Sequence, residues 1–242
     1  MKIERKIIEN GILRVTTSDE RWYGIPQEDG SIRYVPSVTW ICEHYPKGIG
    51  FYKWLASKGW DEAMALKEAA GDRGSTVHNA VVAMLKGETI RHDSAFTDET
   101  GKQREITTEE YEGVISFADW WKENKPELII FDKTVIAPDF SYAGTLDLLY
   151  KIKGEAWLID LKTSSEIWPS HELQISAYGH CFNEPLKLGI LQLGYKRNKK
   201  KKFKFTDIEN QYELFEAAMK IWKKETSGII PQQKDFPAEV KL

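Results

Sequence analysis

Apolar and polar positions change their period several times along this chain, and each change predicts an element. Residues 12–17 (ILRVTT), 21–25 (RWYGI) and 31–37 (SIRYVPS) read as short β segments, the last two flanking the turn-like QEDG. From residue 50 to about 86 the spacing becomes helical. Gly71 and Gly74 punctuate it, Ser75 or Thr76 is suited to start a new helix, and Gly87 to end it. Residues 88–106 are polar and predict a loop, and Thr108 to about Asn124 predicts a helix closed by Pro126. Strands follow over 127–137, 140–152 and 155–165, then a helix over 168–182, strands over 186–197 and 201–208, and an amphipathic helix from about Asn210 to Lys224. Three strands, a helix and further strands, with helices on both sides, predict an α/β fold around a mixed sheet.

Composition narrows the class. At 242 residues the chain suits one domain, or one domain with an added lobe, and 41% hydrophobic and 12% aromatic content supports a packed core. There is no internal repeat, low-complexity tract or long linker. No apolar run approaches the roughly 18–20 residues of a membrane span, and the opening MKIERKIIEN carries charge without the apolar stretch of a secretion signal. The expectation is a cytoplasmic protein, of a bacterial or phage-infected host cell, that does not act at a membrane. Cys42 and Cys181 are too few for a four-cysteine metal or iron–sulfur site and read as reduced thiols.

The net charge of −3 does not by itself advertise nucleic-acid binding. One segment does: YKRNKKKKFKF, residues 195–205, places seven basic residues between Lys196 and Lys204. It reads either as a solvated hairpin tip or as a phosphate-contacting arm with interleaved Phe203 and Phe205.

The chemistry is concentrated in AWLIDLKTSS, residues 156–165. Side chains two apart on a strand share a face, so Asp160 and Lys162 point the same way while Leu158, Ile159 and Leu161 supply burial. The pattern [D/E]-x-K occurs four times, at Glu4–Lys6, Glu123–Lys125, Asp160–Lys162 and Glu239–Lys241. Only the third lies in an apolar strand, where an uncompensated charge is expensive. A second acid, Asp147, is embedded in the preceding strand. Facing residues of a hairpin keep a constant sum of residue numbers, so a two-residue turn at Lys153–Gly154 sets Asp147 opposite Asp160; an odd loop would put them on opposite faces. The even loop is the expectation, because two-residue turns are the commonest and Gly154 tolerates the positive φ they need. Two facing carboxylates repel unless a cation lies between them. Lys162 serves in part, and Mg²⁺, which takes one or two carboxylates and keeps several waters, serves better. The alternative is an Asp–Lys salt bridge with Asp147 incidental.

YAGTLDLLY, WLIDLKTS and ELQISAY, in that order, together with RGSTVH upstream, resemble the PD-(D/E)xK nuclease superfamily and, within it, the RecB-type exonuclease branch. The stretch from YVPSVTWI through FYKWLASKGWDEA is similar in style to phage and mitochondrial genome maintenance exonucleases, and the resemblance covers roughly residues 34 to 195. It implies a restriction-endonuclease-like core over residues 61–226, with an N-terminal β/helical extension over 1–60 and a tail over 227–242. It implies that Asp147, Asp160 and the backbone carbonyl of Leu161 hold Mg²⁺ or Mn²⁺, that His78 completes the shell, and that Lys162 is the catalytic lysine. Gln174 and Tyr178 match the branch's Q-x-x-x-Y helix motif, and their spacing puts them on one helix face. The acid often found on the first core strand would correspond to Asp132, a secondary candidate. The cysteines that bind an iron–sulfur cluster in many relatives are absent, so no cluster is expected.

The implied function is a metal-dependent DNA exonuclease acting on single-stranded or end-processed DNA in recombination, replication or repair, with DNA and proteins of those processes as partners. Lys196, Arg197, Lys199, Lys200, Lys201, Lys202 and Arg73 are the candidate DNA contacts. A structure-specific or restriction-like endonuclease and a catalytically idle DNA-binding subunit remain as alternatives.

Overall fold

The computed structural model describes residues 3–17, 20–97, 103–197, 202–227, 229–231 and 241. It has an α/β fold. Strands β1 (Glu4–Ile7), β2 (Leu13–Thr16), β3 (Arg21–Pro26) and β4 (Ile32–Pro36) form an antiparallel four-stranded sheet in sequence order. The central sheet has five strands in the order β11–β10–β9–β8–β7: β7 (Glu127–Ile136), β8 (Ala143–Ile152), β9 (Glu155–Lys162), β10 (Lys187–Leu193) and β11 (Phe203–Ile208). Only β9 and β10 pair in parallel, so the sheet is mixed as expected. Parallel neighbours need a crossover, and helix α5 (Pro169–His180) makes it, opening with Pro at a position where the missing N–H is harmless.

Helices cover both faces. On one, α1 (Val38–Glu43), α5 and α6 (Tyr212–Glu225) close a core in which Leu158 and Ile190 meet Leu173, Ile175 and Phe215. On the other, α3 (Trp60–Leu85) and α4 (Thr108–Asn124) place Val77, Val81, Phe117 and Trp120 against Leu148, Ile159 and Leu191. The first sheet joins the same core through Val15 and Trp22, and Ser37 bridges in parallel to Ala143 at the start of β8.

Several expectations need correction. The helical stretch after residue 50 breaks at Gly59, whose φ of 76° ends α2 (Ile49–Lys58), rather than at Gly71 and Gly74. Those two glycines cost helix propensity of about 1 kcal/mol each, but Val77 and Val81 pack α3 against the sheet, Ala80 packs it against Val114 of α4, and these contacts carry it through. Residues 88–106 are not all loop: β5 (Ala95–Thr97) and β6 (Gln103–Glu105) pair, with too little apolar alternation to show in the sequence. Helix α1, capped by the Ser37 hydroxyl accepting from the Trp40 N–H, and the exposed strand β1 also escaped the pattern. The strands expected over 140–152, 155–165 and 186–197 are shorter than their apolar runs.

Candidate active site

The hairpin between β8 and β9 turns on Lys153 and Gly154, both at positive φ (52° and 84°), which is the geometry of a two-residue type I′ connection. Every pair from Ile152↔Glu155 to Leu148↔Ile159 follows the expected register, and its continuation sets Asp147 opposite Asp160. There the ladder ends. β8 stays paired with β7 and β9 with β10, but the two central strands part. The Asp147 carboxylate enters the opening, where its Oδ2 accepts the Leu161 N–H at 2.7 Å.

The remaining groups converge on this fork. His78, carried by α3 just after the buried Val77, brings Nε2 to 3.1 Å from Asp147 Oδ1. Lys162 Nζ lies 2.8 Å from Asp160 Oδ2 and donates to Gln174 Oε1 at 3.1 Å. Gln174 Nε2 in turn donates to the Tyr178 hydroxyl at 3.2 Å. Tyr178 is held against β8 because residue 144 is glycine: a Cβ there would sit 2.5 Å from the Tyr178 ring. The i,i+4 pair on α5 is thus a relay that fixes the lysine.

Burial and charge set the protonation of the cluster. Burial pushes the Asp160 carboxyl up, and the neighbouring Asp147 adds to it, so that it reaches about 6 despite Lys162 and His78. Burial works on Asp147 in the same direction, but His78, Lys162 and the Leu161 N–H outweigh it and hold that carboxyl below its ordinary value. For His78, burial opposes the charged form and Asp147, with Asp132 and Asp160, overcomes it, raising the imidazole to about 9. Lys162 is likewise disfavoured by burial and held charged by Asp160 and Asp147. The two acids are therefore driven apart, one ionised and one close to sharing a proton.

The cluster forms the floor of an open cleft of about 2160 Å³. Asp132 lies on it too. The pairs Phe131↔Leu148 and Lys133↔Leu146 place it opposite Asp147, and its φ of 47° is left-handed in the middle of β7. A non-glycine residue so placed costs on the order of 1–3 kcal/mol, and such strain gathers at functional sites. This strengthens the secondary candidate.

The residues present fit a hard divalent cation in one specific respect. Asp160 is 2% exposed, and its buried Oδ2 meets the Lys162 ammonium at 2.8 Å. Two carboxylates facing each other on the floor of an open cleft are oxygen donors of the kind a hard divalent cation takes. Among the described residues no three His, Cys, Asp or Glu side chains form a ready-made cage; Mg²⁺ does not need one. Cys42 is buried and Cys181 partly so, both as free thiols.

The candidate DNA contacts are arranged differently. Lys196 Nζ pairs with Glu109 at 2.9 Å, Lys202 Nζ with Glu112 at 2.7 Å, and Arg197 with Glu166. Arg73 stands 3.7 Å from Glu109. Lys199, Lys200 and Lys201 lie outside the described residues. Lys196, Arg197, Lys202 and Arg73 thus have acid partners on α4 and on the loop before α5, and none of them lines the cleft.

Other residues on the cleft were not singled out from the sequence: Phe51 and Trp54 of α2, Trp168, His171, Arg21 and Lys47. Trp168 and His171 are tied together at the start of α5, where the Trp168 N–H donates to His171 Nδ1 at 3.3 Å. Burial, aided by Lys162 and Lys47, lowers the imidazole of His171 to about 3, so it stays neutral. The sequence signals were a tryptophan preceding Pro169 and an unusual density of aromatics in GFYKWLASKGW. Among the described residues no helix is long and apolar enough to cross a membrane. A scan against protein-family models gives no match to this chain, and a search of curated proteins gives none either.

Proposed function

We propose that the chain is a Mg²⁺- or Mn²⁺-dependent deoxyribonuclease with a restriction-endonuclease-like core, acting as an exonuclease on single-stranded or end-processed DNA. The observation that carries this reading is the convergence of Asp147, Asp160, Lys162 and His78, from three separate elements, at the point where β8 and β9 part. Asp147, Asp160 and the Leu161 carbonyl would hold the cation, with His78 completing the set. A bound cation would supply Lewis-acid polarisation of the phosphodiester and would lower the pKa of its water. Lys162 presents a fixed positive charge to the phosphate as negative charge develops on it, and fixed charge needs no reorganisation during reaction. Gln174 and Tyr178 hold that ammonium in place. The settings in recombination, replication or repair, and a cytoplasmic site of action, follow from the resemblance alone.

The test is digestion of end-labelled single- and double-stranded DNA. Degradation with Mg²⁺ or Mn²⁺ that stops with EDTA and with Lys162→Ala is expected, and full activity in Lys162→Ala would sink the mechanism. Covalently closed circular DNA separates the enzyme readings, since an exonuclease needs an end. Binding without cleavage across several metals would favour an idle DNA-binding subunit.

A further inference from the structure

Helix α2 carries Ile49, Phe51, Tyr52, Trp54 and Leu55 within ten residues, yet none of its residues is buried. An ordinary surface helix turns its large apolar side chains into the core. Here Phe51 and Trp54 remain 38% and 37% exposed, one turn apart, with ring centroids separated by 5.9 Å and planes tilted by 38°. Both face the cleft whose floor holds Asp147 and Asp160, and Trp168, 56% exposed, lies on that cleft as well. Scattered exposed aromatics need no explanation, but three gathered on one charged cleft do.

The charges around them select the occupant. Arg21, Lys6 and Lys47 line the cleft and make no ion pair among the described residues. Of the acids that share it, Asp132, Asp147 and Asp160 belong to the floor, while Glu4 stands 4.0 Å from Arg14 and Glu9 2.6 Å from Lys133. Exposed ring faces beside uncommitted cations complement a chain that alternates flat bases with phosphates. In a duplex the base faces are stacked on one another and cannot reach the rings; in an unpaired strand they can.

We propose that Phe51, Trp54 and Trp168 form a base-stacking platform that grips an unpaired DNA strand on the cleft leading to the Asp147–Asp160 site. The inference rests on the nuclease reading for its choice of ligand and adds to it the residues that distinguish single-stranded from duplex substrate. Arg21 and Lys47 take the phosphates between stacked bases.

The experiment uses the full chain in EDTA, so that binding is read without cleavage. Fluorescence anisotropy compares an oligo-dT strand with an abasic strand of equal length, which keeps the phosphates and lacks the bases. One stacked base is worth from about fivefold to about a hundredfold in affinity, and the platform offers more than one ring. Oligo-dT is therefore expected to bind at least about tenfold more tightly than the abasic strand, and Phe51→Ala/Trp54→Ala to remove most of that preference. The aromatic exchange Phe51→Tyr/Trp54→Phe is expected to keep it, which separates stacking from loss of fold. Equal affinity for the two strands, no binding of either, or a preference that survives in the alanine variant would overturn the platform. So would self-association of the chain that the alanine variant abolishes, since α2 would then serve a second copy. An intact base preference without Mg²⁺-dependent degradation would uphold the platform and reject the nuclease reading, so the two fail separately.

Discussion

On the floor of the cleft, His78 pairs with Asp147 and Lys162 with the facing Asp160, all largely withdrawn from water. On the turn between β10 and β11, Lys196, Arg197 and Lys202 each reach a different acid at the surface, and the described members of that run never act together. Both regions are dense in charge, but burial separates their physics. On the floor, burial itself pushes Asp160 up to about 6, and the low dielectric lets Asp147 outweigh burial and raise His78 to about 9. In the exposed turn each pair is screened by water and salt and contributes little. A charge run therefore says less about function than two acids and a lysine on neighbouring apolar strands.

The largest expected effect breaks the floor. Lys162→Ala should lower Mg²⁺-dependent DNA degradation by about a thousandfold, measured as single-turnover rates on end-labelled strands, while Lys202→Ala should change those rates by less than about twofold. Comparable losses would erase the distinction. Next, Gly144→Ala forces the Tyr178 ring away from β8 and loosens the Gln174–Lys162 relay. Overpacking of this kind destabilises by about 1–3 kcal/mol, read as a lower urea midpoint, and activity should fall with it. An unchanged midpoint would mean that the ring is not clamped.

A smaller effect concerns which cations meet DNA. Replacing Arg21 and Lys47 with Gln should flatten the salt dependence of single-strand binding by about 0.7 per cation. The same exchange at Lys196 and Lys202 should flatten it less, because those charges already have acid partners. Equal changes in slope would place the lysine-rich turn on the DNA after all. The smallest effect is a titration. The hydrogen bond from Lys196 lowers the Glu109 carboxyl from its ordinary 4.5, against some burial and with help from Arg73. A carboxyl lowered by folding stabilises the folded chain above its ordinary value and loses that contribution as pH falls through the lowered one. Lys196→Met should return the Glu109 titration, followed by carboxyl NMR, towards 4.5.

Much of the site was legible because it depends on local periods. The turn residues Lys153 and Gly154 set the hairpin, the hairpin sets Asp147 opposite Asp160, and a period of two puts Lys162 beside Asp160. The helical period similarly puts Tyr178 within reach of Gln174. What stayed hidden depends on contacts between distant segments. The continuity of α3 through two glycines comes from its packing on β8–β10, and the arrangement of Lys196 and Lys202 comes from Glu109 and Glu112 on α4. Asp132 gave no local sign of its left-handed backbone, which arises inside a paired strand opposite Asp147.

From the sequence alone follow the α/β class, the order of the principal strands and helices, and the acids and lysine that share a strand face, since side-chain direction repeats with the backbone. Only the tertiary structure decided where β8 and β9 part, that His78 crosses from α3 to reach Asp147, and that the aromatic face of α2 is left open on the same cleft. Those outcomes depend on how sheet, helices and N-terminal strands compete to bury apolar surface, and that competition is settled across the whole chain.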